Sequence, residues 1–168
     1  MAAEKRADAA RGKTQVERVS DRELVITRTF RAPARILFDA WTRPEHVRRW
    51  WAPASMGVNM ASCEADLRPG GSYRYLLQPP GPETIAFAGE YVELTPHTRL
   101  VYTSRFEPFP DPAMVTVTFE ERDGATTVVS REVYPSKEAL DGAVASGMEA
   151  GVHVTYDQLD ELVLSLGR

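Results

Sequence analysis

From Val58 to Tyr134 the chain alternates apolar and polar residues in six successive stretches: MASCEADL, GGSYRYLLQ, ETIAFAGEYVEL, RLVYTSRF, AMVTVTFEE and ATTVVSREVY. Alternation with period two marks strands with one face buried. The separators carry turn chemistry: Arg68-Pro69-Gly70-Gly71, Pro79-Pro80-Gly81-Pro82, Pro96-His97, the stretch from Pro108 to Pro112, and Asp123-Gly124. They are too short for the crossover of roughly a dozen residues that a parallel pair requires. Neighbouring strands must therefore run antiparallel, as a meander.

Upstream, ELVITRTF at 23–30 is β-branched and supplies a further strand. Ala32-Pro33 then opens a helix, ARILFDAW, in which Ile36, Leu37, Ala40 and Trp41 share a face, and Pro44 starts a second short helix through PEHVRRWW. Downstream, Ser136 is a good N-cap with Glu138 in the first turn, and the apolar spacing predicts one long helix from there to about Leu164. Only that helix is long enough to cover the apolar face of the sheet. The fold class is α+β: a seven-stranded antiparallel sheet wrapped around a long C-terminal helix, with two short helices after the first strand.

Residues 1–20 have few large apolar side chains and read as a flexible leader, with 21–168 forming a single domain. A formal charge of −4 and a pI near 5.5 give no general attraction to nucleic acid or anionic lipid. Cys63 is the only cysteine, no apolar run approaches the ~20 residues of a membrane span, and the start lacks a signal-peptide core. A reducing cytoplasm is the expected location. His46, His97 and His153 lack the spacing of a zinc site, and there is no G-x-S-x-G elbow, P-loop or strand-linked G-x-G-x-x-G. Neither a metal nor another cofactor is expected.

Several motifs in order carry a family likeness: FRAPARILFDAWTRPEHVRRWW, DLRPGG followed by SYRY, GEYVELTPHTRLVYT, and VYPSKEALDGAVASGMEAGVHVTYDQLDEL. Across about residues 23–165 the chain resembles the helix-grip domains of the START-like (Bet v 1-like, SRPBCC) superfamily. Within it, the chain is similar to the branch containing the C-terminal domain of the activator of Hsp90 ATPase. The resemblance implies an apolar cavity between sheet and helix, and with it a small hydrophobic or aromatic ligand. It also implies two alternatives. One is a cyclase, dehydratase or hydrolase acting in the same cavity; the other is an Hsp90 partner, ranked low because only a short leader precedes the domain.

On that reading, candidate cavity residues follow from strand alternation. Tyr73 and Tyr75 share one face, as do Tyr102, Ser104 and Phe106, then Val117 and Phe119, then Val128, Ser130 and Glu132. Trp50 and Trp51 point about 100° apart on a helix, so one should fill core while the other reaches the cavity mouth; Trp41 is assigned to core. An inward Glu132 would have a raised pKa and could serve as general acid or base. A bulge turning it outward, or pairing with Arg74, Arg105 or Arg131, is the alternative. Gly147 and Gly151, one turn apart, would share a helix face with Met148, Val152, Thr155 and Leu159, either admitting a strand closely or leaving room for a ligand. A homodimer through a sheet edge or the tryptophan region is possible.

Overall fold

A computed structural model describes residues 13–107 and 111–167. Residues 1–12 of the expected leader, and 108–110 within the Pro108 to Pro112 stretch, lie outside the described residues. The strands are β1 (Gln15–Arg18), β2 (Glu23–Phe30), β3 (Asn59–Ala65), β4 (Ser72–Gln78), β5 (Ile85–Thr95), β6 (Arg99–Phe106), β7 (Ala113–Arg122) and β8 (Ala125–Val133). They form one sheet in the order β1-β2-β8-β7-β6-β5-β4-β3, and every pairing is antiparallel. The meander from β3 to β8 lies where alternation places it. At Asp123 (φ 53°) and Gly124 (φ 80°) both backbone angles are positive, the geometry that lets Arg122 and Ala125 pair across a tight hairpin.

Among the described residues the sheet has eight strands where alternation predicts seven. The additional one, β1, comes from QVER in the expected leader and pairs along the edge of β2, with Val16 opposite Ile26. Four residues with a single large apolar side chain carry no legible period. Their strand state comes from the backbone partners that β2 offers.

Helices α1 (Ala34–Thr42) and α2 (Pro44–Trp50) follow β2, with Pro44 at the first helical position. The face carrying Ile36, Leu37, Ala40 and Trp41 is buried. At the other end, the single helix expected from Ser136 onward is two: α3 (Lys137–Ala145) and α4 (Met148–Leu166). Ser136 caps α3 as its type suggests, its hydroxyl accepting from the Ala139 N–H at 3.0 Å. The break falls at Gly147, whose φ of +85° is left-handed and incompatible with a continuous α-helix.

The sheet curves around α4, which buries Thr155, Tyr156, Leu159, Leu162 and Val163 and packs Met148 and Val152 partly against the core. Opposite them lie Leu24, Ile26, Phe30, Leu100, Val115, Val117 and Val128, all nearly inaccessible. Each such side chain contributes roughly 1.5–3 kcal/mol by leaving water. Arg28 projects from β2 to the helix and binds Asp157 Oδ1 at 2.6 Å and Asp160 Oδ2 at 3.6 Å. This pairing fixes the C-terminal half of α4 to β2, the strand next to the sheet edge.

Candidate functional site

The antiparallel register brings four tyrosines together on the concave face. Tyr75 of β4 lies opposite Phe87 of β5, Tyr73 opposite Gly89, and Tyr91 of β5 opposite Tyr102 of β6. The Tyr73 ring sits 4.9 Å from Tyr75, 5.4 Å from Tyr91 and 5.6 Å from Tyr102. Gly89 makes this possible. A Cβ there would fall on the Thr103 carbonyl oxygen and 2.9 Å from the Tyr73 ring. With no side chain in the way, the Tyr73 hydroxyl reaches through to donate to that carbonyl at 2.6 Å.

Of the two adjacent tryptophans, Trp50 is the core one. It is 1% exposed, and its Nε1 donates to the Ala40 carbonyl at 2.8 Å. Trp51 is only partly buried and stacks edge-on against Tyr75 at 5.2 Å. It closes a void of ≈ 10 Å³, room for about one water, lined also by Trp41, Tyr73, Tyr75, Tyr91, Leu100 and Tyr102. Trp41 is core as expected, yet its Nε1 and the Tyr91 hydroxyl are buried without a hydrogen-bond partner. Tyr75 lies beside Tyr91, and Tyr102 beside Trp41, near enough to affect hydroxyl ionisation. Neither pair reaches hydrogen-bonding geometry.

Glu132 turns inward. On β8 it lies between Leu24 and Val115, and its carboxylate accepts from the Tyr134 hydroxyl at 2.8 Å. None of the three candidate arginines pairs with it: Arg74 and Arg105 pair with Glu107, and Arg131 with Glu23. Burial of the carboxyl raises its pKa against the opposing effect of the Tyr134 hydrogen bond. Burial likewise pushes the hydroxyls of Tyr73, Tyr102 and Tyr156 up, with the Glu132 charge adding to the shift at each. The interior of the domain is therefore aromatic and carries a single inward carboxyl among its described strands.

Not all of the expected site residues converge. Tyr73, Tyr75, Tyr102, Ser104, Ser130 and Glu132 share the concave face, with Met148 and Val152 at the N-terminal end of α4 above them. Val117 and Phe119 are packed core, Phe119 meeting Phe38 at 5.5 Å and Trp41 at 6.0 Å. Phe106 is 40% exposed and pairs with Phe87 at 5.4 Å where the sheet ends. Gly147 is exposed in the joint between α3 and α4, so it shares no helix face with Gly151 and no strand approaches it. Gly151 is part-buried and faces open space. Alternation did not single out Tyr91, because a register shift between Tyr91 and Glu93 breaks the period beside it. For Trp41 the sequence gives core and no more, because an amphipathic helix reveals that a side chain is buried, not whether its nitrogen finds a partner.

The ready-made cavity expected between sheet and helix is thus closed down to the small void. A wider concavity, ≈ 810 Å³, lies instead on the outer side of β3–β6, where it opens to solvent around Arg74, Ala88 and Arg105. Its arginines are already engaged by Glu107. Among the described residues, no group of three acidic, histidine or cysteine side chains is placed to hold a metal, and no helix is long and apolar enough to cross a membrane.

Solved structures with this architecture are numerous. A protein from Rhodobacter sphaeroides superposes with a TM-score of 0.83 at 25% identity, covering 91% of this chain and 99% of its own. Protein Ms6760 from Mycobacterium smegmatis gives 0.79 at 26% identity over 89% and 96%. A Staphylococcus epidermidis protein gives 0.73 at 28% identity over 90% and 94%. No curated protein matches the sequence significantly. The family described as activator of Hsp90 ATPase homolog 1-like protein matches residues 31–163, from the end of β2 through most of α4. With the motifs, the sheet gripping α4 and this match in agreement, the chain belongs to the activator of Hsp90 ATPase homolog 1-like family, within the helix-grip superfamily.

Proposed function

We propose that the protein binds a small hydrophobic or aromatic molecule between the concave face of the sheet and α4. The observation that carries this reading is the aromatic wall of Trp51, Tyr73, Tyr75, Tyr91 and Tyr102 around a small void, in a lining where two buried polar atoms, the Trp41 Nε1 and the Tyr91 hydroxyl, have no partner. Native interiors seldom leave such groups unsatisfied, and pockets for small molecules combine an apolar lining with a few oriented polar groups. Because the void is ≈ 10 Å³, binding requires side chains to move. Trp51 is the one residue of the void's lining that is only part-buried.

Thermal denaturation against a panel of neutral aromatic compounds tests the reading. A ligand at one hundred times its dissociation constant adds about 2.7 kcal/mol, so a hit raises the midpoint by several degrees. A panel in which no compound at millimolar concentration raises it would remove the proposal. A second reading, acid–base catalysis in the same space, is favoured by one observation: the inward Glu132 carboxyl with its raised pKa beside Tyr134. Turnover that survives Glu132→Gln unchanged would exclude Glu132 from that role.

A further inference from the structure

Resting on the ligand-binding reading above, we propose that the ligand is an amphipathic amine. Its ammonium pairs with the Glu132 carboxylate at the open end of the concave face, and its apolar part extends over Ser104 and Ala113 toward Phe106.

Exposure rises from one cross-strand row to the next along this face. Ile26, Ser130, Val117 and Leu100 stand side by side and are at most 2% exposed. In the following row, Leu24, Glu132, Val115 and Tyr102, only Glu132 is part-exposed. Beyond it Ser104, opposite the small Ala113, is part-exposed, and Phe106 is 40% exposed. The helix above is equally sparing of bulk. Gly151 lies three residues after Met148 and four before the buried Thr155, hence on their face of α4, and a Cβ there would meet no atom within 4 Å. Glu132 therefore faces inward at the end of the grip that solvent reaches. Tyr102 of its row also lines the void, so the two places adjoin.

The carboxyl sets the chemistry, because no cation serves it. Its Oε1 accepts from the Tyr134 hydroxyl at 2.8 Å, while Arg74, Arg105 and Arg131 pair elsewhere. Arg28, which β2 also turns inward, is held by Asp157 and Asp160, and Arg22 gives its Nε to the Tyr134 carbonyl at 2.8 Å. The other titratable groups near it are phenols that burial keeps protonated: Tyr134 beside it, Tyr73 and Tyr102 across the sheet, and Tyr156 from α4. Burial raises the Glu132 pKa, and only the Tyr134 hydrogen bond opposes it. A carboxylate withdrawn from water without a counter-ion is costly, and a ligand that brings the cation offsets that cost. An ammonium, with three donors and no acceptor, suits the oxygen that Tyr134 leaves over.

The test uses three probes with one apolar body: phenethylamine, phenethyl alcohol and phenylacetate, each titrated into the full chain at neutral pH. The amine is expected to bind at least about tenfold more tightly than the alcohol, as a charge-assisted hydrogen bond allows, and phenylacetate most weakly of the three. Glu132→Gln should remove the amine's advantage and leave the alcohol's affinity unchanged. Phe106→Ala should weaken amine and alcohol by the same factor. In the unsubstituted chain the ¹³C resonance of the Glu132 carboxyl should titrate at lower pH when the amine is saturating. Equal affinities for amine and alcohol, or an advantage that survives Glu132→Gln, would overturn the amine subsite while leaving ligand binding intact. A Glu132 titration that the bound amine does not move would overturn it as well. If none of the three binds, the amine proposal falls, and the panel of neutral aromatic compounds decides separately whether the ligand-binding reading falls with it.

Discussion

Two glycines four positions apart should respond to alanine with opposite signs. At Gly147 φ is +85° and a Cβ would meet no atom within 4 Å, so the cost of Gly147→Ala is the backbone term alone. Holding an L-residue in the left-handed region costs about 1–2 kcal/mol. At Gly151 the backbone is helical and a Cβ again meets open space, so nothing opposes the gain from a better helix former. That gain is about 0.5–1 kcal/mol, partly from a less flexible unfolded chain. For a chain of this size the midpoint moves by roughly 2–4 °C per kcal/mol. Gly147→Ala should lower it by about 2–8 °C and Gly151→Ala should raise it by about 1–4 °C, measured by calorimetry and by urea unfolding on the same samples. A continuous helix would make both substitutions stabilising. That shared sign would refute the division into α3 and α4, and with it the placement of Gly147 outside the cavity wall.

Three other perturbations probe the frame around the candidate site. The raised pKa of Glu132 means that, between the ordinary carboxylate value of 4.5 and its folded value, the native state holds more protons than the unfolded chain. The stability this confers is complete below 4.5 and is lost as pH rises through the folded value. In urea unfolding, Glu132→Gln should therefore gain on the parent protein as pH rises through that interval, while Asp141 and Glu107, which their ion pairs hold low, are common to both and cancel; a pH-independent difference would be contrary evidence. Arg28 is 4% exposed and faces Asp157 and Asp160, so changing both aspartates to asparagine should cost about 3 kcal/mol by leaving a buried cation unpaired, more than Arg28→Met does. The reverse ranking in equilibrium unfolding would show that the pair sits in effectively solvent-like surroundings. Gly89→Ala, driving a methyl into the Thr103 carbonyl, should destabilise by about 3 kcal/mol; a midpoint within one degree of the parent would show that β5 and β6 can separate freely there.

Much of the candidate site was readable because strand alternation is rigid: once one residue of β4, β6 or β8 faces inward, its neighbours two positions away do too. This places Tyr73 with Tyr75 and Ser130 with Glu132 before any coordinates exist. The same rule cannot say how full the space is. Val117 and Phe119 obey the alternation as well as the tyrosines do, yet they close the interior, because occupancy depends on side chains such as Phe38 and Trp41 of α1 that arrive from elsewhere in the chain. The tryptophan pair behaves likewise. Helical geometry requires Trp50 and Trp51 to diverge, but only the carbonyl of Ala40, presented by the neighbouring helix, decides that Trp50 is the core member.

The sequence by itself determined the antiparallel meander, its turns, both short helices and the grip on a C-terminal helix, since period, proline and glycine act within a few residues of themselves. Tertiary structure alone decided what depends on distant partners. It recruited QVER as an eighth strand because β2 had an unpaired edge, and it turned Glu132 away from Arg74, Arg105 and Arg131. It also left, between β4–β6 and the two short helices, only a void bounded by seven side chains drawn from several elements. The helix break belongs between these cases: either Gly147 or Gly151 could take a left-handed angle, and only the folded chain shows that Gly147 did, with Leu140 of α3 fully buried just before it.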